Sequence, residues 1–287
     1  MYVTRKRKQY ETDEHPVLKN GLEKLFPADQ LFSVESSLDS LIPWIEYVCG
    51  LDGKTVLVFG TGLGGTTVAC ALKIGSGKVY GTDISADAIE KTSIKAKAYG
   101  VSEKVELIHM NDTYPLNFND DFFDIVIMAD VIEHIVSERG KYVREVFRVA
   151  KKGGIMIITG TPNVIHPRDR HTTGLYFIPW MSSGTAYKYA LWRTRWKEGE
   201  NLDYAGRKGT SYWHIKSWLK GFRYEVLNLR PGFTSKYLKE KGRVNSLKRR
   251  ILFFPYKAFE TVLAFVFRIP ATALMPYINH LFIKKTD

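Results

Sequence analysis

The sequence predicts a doubly wound α/β protein: an open, mostly parallel sheet of seven strands with helices on both faces. Three observations carry that expectation. Strand-like apolar runs and helical segments alternate without interruption from residue 54 to 160, the pattern of a sheet built by crossover connections. The first of those runs, "KTVLVFG", leads through a glycine-rich turn straight into a helix. The fourth, "FFDIVIMAD", is almost continuously apolar, as in strands buried on both faces.

In chain order, residues 1–15 read as a basic-then-acidic tail. From Pro16 to Gly50 the apolar spacing is helical, with Leu38, Leu41, Ile42, Ile45 and Val48 on one face. "TTVACALKIG" reads as a helix closed by Gly75, "KVYGTDIS" as the second strand, and "ADAIEKTSIKAKAYG" as a helix with a glycine stop. "KVELIHMND" is the third strand. After the fourth, "ERGKYVREVFRVA" is a helix, "KKGG" a turn and "IMIITGTPN" the fifth strand. The alternation breaks after Asn163. Residues 164–212 form an insertion rich in aromatics and arginines, followed by a helix in "SYWHIKSWLKG" and a sixth strand in "RYEVLNLRPGF". "HLFIKK" supplies the seventh strand, so residues 236–275 are a second insertion, between strands six and seven. The expected organisation is an N-terminal tail with helices over 1–50 and one domain over 51–287 holding both insertions.

The chain has 287 residues, 45% of them hydrophobic, and can bury a real core. Its formal net charge of +12 implies attraction to something anionic. Cys49 and Cys70 share no metal-type spacing, so a disulfide framework is not expected and a reducing compartment is. "MYVTRKRKQYETDEHP" lacks the apolar stretch of a signal peptide, which points to a cytoplasmic protein.

Gly60, Gly62 and Gly65 fit G-x-G-x-x-G between a strand and a helix, and Asp83 ends the next strand at the separation of a ribose-binding acid. Glycines let the backbone approach a ligand closely, and a carboxylate can take both ribose hydroxyls. Nicotinamide and adenosylmethionine sites share this loop. The pieces "VLVFGTGLGG", "VYGTDIS", "HMNDTYPLNFNDDFFDIVIMADVIEHI" and "KKGGIMIITGTPN" together resemble the class I S-adenosylmethionine-dependent methyltransferases, over roughly 54–165 and again over 211–233. In that family an acid near the adenine follows the third strand, an "FD" pair opens the fourth and a "GG" turn introduces the fifth. Asp112, Phe123-Asp124 and Gly153-Gly154 stand at those places. The resemblance implies a Rossmann-like seven-stranded methyltransferase sheet that binds S-adenosyl-L-methionine through Gly60, Thr61, Gly62, Gly64, Asp83, Ile84, Asp112 and Ala129. In one place the chain departs from the pattern: the family often carries an acid two residues before the first glycine, where this chain has Val58. This departure allows three readings: another donor or acceptor holds the methionine end, the cofactor binds more weakly, or the domain has lost catalysis.

In "ADVIEHI", Asp130, Glu133 and His134 follow the fourth strand, at the carboxyl end where open sheets place ligands. The ubiquinone-biosynthesis O-methyltransferases, which this chain resembles in type, and the small-RNA 2′-O-methyltransferases carry acid-x-x-Glu-His here. In those families the resemblance implies a divalent metal such as Mg2+ held by Asp130, Glu133 and His134, lowering the pKa of a substrate hydroxyl. Two other readings stay open: His134 as a metal-free general base, or Glu133-His134 as the start of a helix. His166, His171 and His214 are candidates for a further ligand, and none has diagnostic spacing.

The 164–212 insertion can form a substrate lid. Tyr176, Phe177, Trp180, Trp192 and Trp196 could line a pocket, while Arg168, Arg170, Arg193, Arg195, Arg207 and Lys208 could meet a phosphate or carboxylate, unless the aromatics are ordinary core. In 236–275 a basic run leads into an apolar stretch interrupted by Pro255, Lys257, Glu260, Arg268 and Pro270. Its apolar pieces are too short to span a bilayer and suit helices lying on an anionic membrane surface, the alternative being a dimer interface or a helical cap on the sheet. The expected function is O-methylation of a lipophilic or lipid-linked small-molecule acceptor, such as a quinone precursor or polyprenyl-linked sugar, on the inner face of the membrane. Set against it are an RNA 2′-O-methyltransferase, with nucleic acid the less favoured partner, a nicotinamide-dependent oxidoreductase, and a cofactor-binding protein without catalysis.

Overall fold

A computed structural model describes residues 15–27, 30–112, 114–227, 262–263, 266 and 269–286. The expected seven-stranded α/β sheet is present. Its strands are β1 (Thr55–Phe59), β2 (Lys78–Asp83), β3 (Val105–His109), β4 (Phe123–Ala129), β5 (Ala150–Pro162), β6 (Tyr224–Leu227) and β7 (Tyr277–Lys284), in the order β3-β2-β1-β4-β5-β7-β6. β1, β2 and β3 pair in parallel, whereas β7 runs antiparallel to both β5 and β6. The helices are α1 (Pro16–Lys19), α2 (Ser33–Val48), α3 (Gly65–Lys73), α4 (Ala86–Ala98), α5 (Arg139–Val149), α6 (Ser183–Trp192) and α7 (Tyr212–Trp218). By compactness the chain divides into Met1–Ile127 with Val149–Gly154, and Met128–Arg148 with Ile155–Asp287.

In the first unit, β1 is buried because both faces of "TVLVF" are apolar. Val58 belongs to this buried strand and pairs with Gly81 of β2, so the position expected to carry an acid is packed as core. Asp124 at the start of β4 is a clamp: its carboxylate accepts from the Thr55 amide (2.8 Å) and Lys151 Nζ (3.0 Å). The helical rhythm read over 16–50 resolves into α1, a 3-10 turn at Leu22–Lys24 and α2, which takes Pro43 within its length. The "KKGG" turn is instead part of β5.

The N-terminal elements pack on α4 and on the glycine-rich loop. Val17, Leu22, Phe26, Leu31 and Phe32 form a buried cluster against which Leu63 of the loop packs. Lys95 of α4 is buried with its Nζ donating to Ser33 Oγ (2.9 Å) and Gln30 O (3.3 Å), over the Phe26 ring at 4.2 Å. Burial lowers the Lys95 pKa to about 8. Ser33 in turn lies so near Gly65 that an added Cβ would meet its side chain at 2.7 Å.

In the second unit, residues 164–210 form the insertion after β5. A bridge between Arg168 and Tyr176 closes a hairpin, and α6 packs through Leu175, Ile178, Ala186, Ala190 and Leu202. Arg207, read from sequence as a partner for a substrate anion, is a core residue. Its guanidinium is fully buried, paired with Asp203 (2.5 Å) and donating to Ile178 O (2.9 Å), Met181 O (3.1 Å) and Ser183 Oγ (3.1 Å). The 236–275 insertion lies outside the described residues except for 262–263, 266 and 269–275.

β7 contains a histidine in an apolar setting. His280 is fully buried, shares a hydrogen bond with Thr272 (3.0 Å) through Nδ1, and has no partner at Nε2. Burial pushes its pKa from 6.5 down to about 3. Above pH 6.5 the residue is neutral whether folded or not; below it the unfolded chain takes up a proton that the folded chain refuses. Stability therefore falls by about 1.4 kcal/mol per pH unit from pH 6.5 toward pH 3 on this account. Urea unfolding at pH 7 and pH 5 checks this: His280→Leu should flatten the pH dependence by roughly 2 kcal/mol, and an unchanged slope contradicts it.

Candidate active site

The first unit carries the loop between β1 and α3. Gly60, Gly62 and Gly64 adopt φ of 73°, 53° and 81°, a left-handed region that glycine enters without steric cost. The Gly62 amide donates to Asp83 Oδ2 (2.8 Å), and its carbonyl accepts from Thr92 Oγ1 (3.0 Å). Asp83 Oδ1 accepts from the Ser85 amide (2.9 Å), so the carboxylate at the end of β2 shapes the loop and retains lone pairs for a ligand. A Cβ on Gly62 would meet nothing within 4 Å, whereas one on Gly64 would touch Thr92 at 3.0 Å. Gly62 thus borders open space while Gly64 is required by packing. Thr61 is buried and shares a short hydrogen bond with Thr67. Ile84, directly after Asp83, is 64% exposed, an apolar side chain presented beside a carboxylate. Asp112 stands in the exposed loop after β3, where its Oδ1 accepts from the Tyr114 amide (3.1 Å). A glycine backbone, a ribose-type acid and an exposed apolar side chain suit an adenosine-bearing cofactor.

The second unit carries the acid–histidine group. Ala129 ends β4 and Asp130 follows at φ 54°. A Cβ on Gly160 would stand 2.1 Å from Asp130 Oδ1, so the acid lies directly over that glycine. Ile132–His134 form a single 3-10 turn; the next helix, α5, begins only at Arg139, so "EH" does not open a helix. Arg139 pins the turn, donating to Ile135 O (2.5 Å), Glu133 O (3.2 Å) and Gly209 O (2.7 Å).

Glu133 is fully buried. Its Oε2 accepts from Thr161 Oγ1 (2.8 Å), while Oε1 has no partner. Burial raises its pKa to about 7; the hydrogen bonds and His134 oppose the rise and Asp130 adds to it. His134 is exposed, and its Nδ1 lies 2.9 Å from Tyr204 O. A carbonyl can only accept, so Nδ1 carries the proton and Nε2 presents a lone pair. His171 comes from the tip of the 168–176 hairpin, its ring centroid 5.4 Å from that of His134. Burial, reinforced by His134, lowers its pKa and favours the neutral form.

Ligand atoms of Glu133, His134 and His171 lie within 4.8 Å of one another. His171 thus joins two of the three expected ligands, and Asp130 is not in the group. The buried, partnerless Glu133 oxygen and the unprotonated His134 nitrogen fit a divalent cation. One carboxylate and two imidazoles suit a first-row transition ion better than Mg2+, which favours all-oxygen ligation. His166 and His214 are elsewhere engaged, the first on Leu274 O (2.9 Å) and the second stacked on Trp218.

Asp169 sets the hairpin tip. Its buried carboxylate accepts from the amides of His171 (3.0 Å), Thr172 (3.0 Å) and Thr173 (2.7 Å), and from both threonine hydroxyls. Burial alone would raise its pKa, and these bonds outweigh it and hold it low. Gly206, at φ 90°, leaves the group its space: a Cβ there would stand 2.9 Å from Glu133 Cγ and 3.0 Å from His171 Cδ2. Gly206→Ala should therefore displace both side chains and lower turnover by about 10²-fold. Far-ultraviolet circular dichroism should be unchanged; wild-type turnover in the variant contradicts the crowding.

Residues 57–158 match the Methyltransferase domain family. A norajmaline N-methyltransferase from Rauvolfia serpentina is 35% identical over 105 residues, 37% of this chain and 35% of that one. A ribosomal protein L11 methyltransferase from Tolumonas auensis is 32% identical over 119 residues, 42% and 37% of the two chains. The chain thus spans little more than a third of the length of these curated relatives. Among solved structures, the YcgJ protein from Bacillus subtilis has 18% identity and a TM-score of 0.50, covering 88% of this chain and all of that one, a likeness of fold. Residues 57–158 thus match a methyltransferase domain, and they lie within a seven-stranded sheet whose fold is that of methyltransferase structures.

Proposed function

We propose that the protein is an S-adenosylmethionine-dependent O-methyltransferase acting on a hydroxyl of a lipophilic or lipid-linked small molecule. The observation that carries this reading is the Glu133–His134–His171 group, with a lone pair on His134 Nε2 and a partnerless oxygen on buried Glu133. A hydroxyl must shed its proton as its oxygen attacks, whereas an amine presents its own lone pair. The cofactor, when bound, supplies a methyl already activated on sulfonium sulfur. Transfer to the acceptor oxygen would break the C–S bond and leave its electron pair on sulfur. His134 Nε2 is the proton acceptor in this reading, and Tyr204 O holds its ring and stabilises the imidazolium through Nδ1–H. Glu133, kept in place by Thr161, supplies the compensating negative charge. A divalent ion, if bound, would be held by Glu133, His134 and His171, with His134 Nε2 then a ligand instead of the base, and would lower the pKa of a coordinated hydroxyl.

The lipophilic character of the acceptor and a peripheral position on the inner, cytoplasmic face of the membrane both rest on the basic-apolar stretch at 236–275, which suits an acceptor drawn from a bilayer. The names of the relatives keep nitrogen in view as an alternative acceptor atom. The test is methyl transfer from labelled S-adenosylmethionine to matched phenol and aniline amphiphiles, with the product read by mass spectrometry. Methylation of the phenol alone is expected; methylation of the aniline alone contradicts the oxygen assignment.

A further inference from the structure

We propose that the 165–180 hairpin is a membrane-docking surface that seats Tyr176, Phe177 and Trp180 in the interface of an anionic bilayer. This rests on the peripheral membrane position proposed above and names the surface that makes the contact; vesicle binding measures it without the reaction. The three side chains are 53%, 52% and 55% exposed and their rings are contiguous, with centroids 6.2 Å apart for Tyr176–Phe177 and 5.9 Å for Phe177–Trp180. They alternate with Leu175, Ile178 and Pro179, which point inward and are buried. The display is rigid. The Arg168–Tyr176 bridge, the Asp169 amide on Leu175 O (2.8 Å) and the Phe177 amide on Pro167 O (2.5 Å) close the hairpin.

Two features say what covers this face. The first is polarity. The Trp180 indole N–H is satisfied within the hairpin, on Val164 O at 2.7 Å, so the ring can enter an apolar phase without stranding a donor. The second is charge. Arg168 and Arg170 are both exposed, and the Arg168 guanidinium sits 5.8 Å from the Tyr176 ring centroid. The acid between them, Asp169, is buried and taken up by five hydrogen bonds from the hairpin itself. A face of aromatic rings edged with arginine fits acyl chains beneath anionic head groups.

Phe177 supplies a clean test. Its backbone is left-handed, φ 67°, where phenylalanine is strained and glycine is not. Phe177→Gly therefore removes a docking ring without lowering the thermal midpoint. Co-sedimentation with phosphatidylcholine vesicles, with and without phosphatidylglycerol, is expected to show tighter binding to the anionic ones and an affinity about tenfold lower for the variant on both. Bromolipids should quench tryptophan fluorescence in the wild type and less so in Trp180→Phe. Equal affinities for wild type and Phe177→Gly, or no binding to anionic vesicles, overturn the proposal. So does self-association that Phe177→Gly abolishes in the absence of vesicle binding, since the face would then belong to a second copy.

Discussion

His134→Ala is expected to lower methyl transfer by about 10²- to 10⁴-fold, the range for loss of a positioned acid–base group, while S-adenosylmethionine affinity stays essentially unchanged. Both halves follow from position. His134 presents Nε2 because its Nδ1 proton is held by Tyr204 O, so alanine removes the one lone pair that either takes the proton or holds an ion with Glu133 and His171. The glycine-rich loop and Asp83 belong to the other compact unit and are shaped there by their own bond, the Gly62 amide on Asp83. Steady-state kinetics and calorimetry on the same preparation give the two numbers. His134→Asn, whose amide nitrogen takes the place of Nδ1 and keeps a donor toward Tyr204 O but offers no base at Nε2, should be nearly as inactive as alanine. A variant with wild-type turnover removes the acid–histidine group from the reaction.

Asp83→Ala is expected to weaken S-adenosylmethionine binding by about 10²-fold, the equivalent of one or two hydrogen bonds to a charged acceptor. The carboxylate acts twice here. Its oxygens fix the Gly62 and Ser85 amides at 2.8 and 2.9 Å, and in the proposed reading they also take the ribose hydroxyls of the cofactor. Asp83→Asn keeps one acceptor oxygen and should lose less. Ile84→Ser should cost less again, since it removes only an exposed apolar face. Titration calorimetry orders the three; equal affinities throughout place the cofactor elsewhere.

How much of this was legible from sequence depends on how local each cause is. The strands could be read because burial on both faces leaves continuous apolar runs, the helices between them because one buried face leaves a helical period, and the Gly60–Gly65 loop because its conformation needs glycine at fixed places. Asp83 was legible for the same reason, being in register with the loop. The partners of the acid–histidine turn were not. Tyr204 O, Thr161 and His171 reach Glu133 and His134 from tens of residues away, and nothing in their own neighbourhoods marks them. His171 had the right chemistry without diagnostic spacing, and it is Asp169, through the hairpin's backbone amides, that places it. Arg207 was misplaced for a related reason. Composition groups it with solvent-facing arginines, yet Asp203 and three oxygen atoms from 178–183 make it a buried clamp. Asp203 at four residues' distance was the one clue the sequence offered. Val58 was visible as a departure, and its meaning came with the sheet: the position is closed inside β1.

The most direct test is titration calorimetry of the purified protein with S-adenosylmethionine, its demethylated product and NAD. Saturable binding of the first two, weakened by Asp83→Ala and unaffected by His134→Ala, is the predicted result. Binding of NAD alone would contradict the account at its centre.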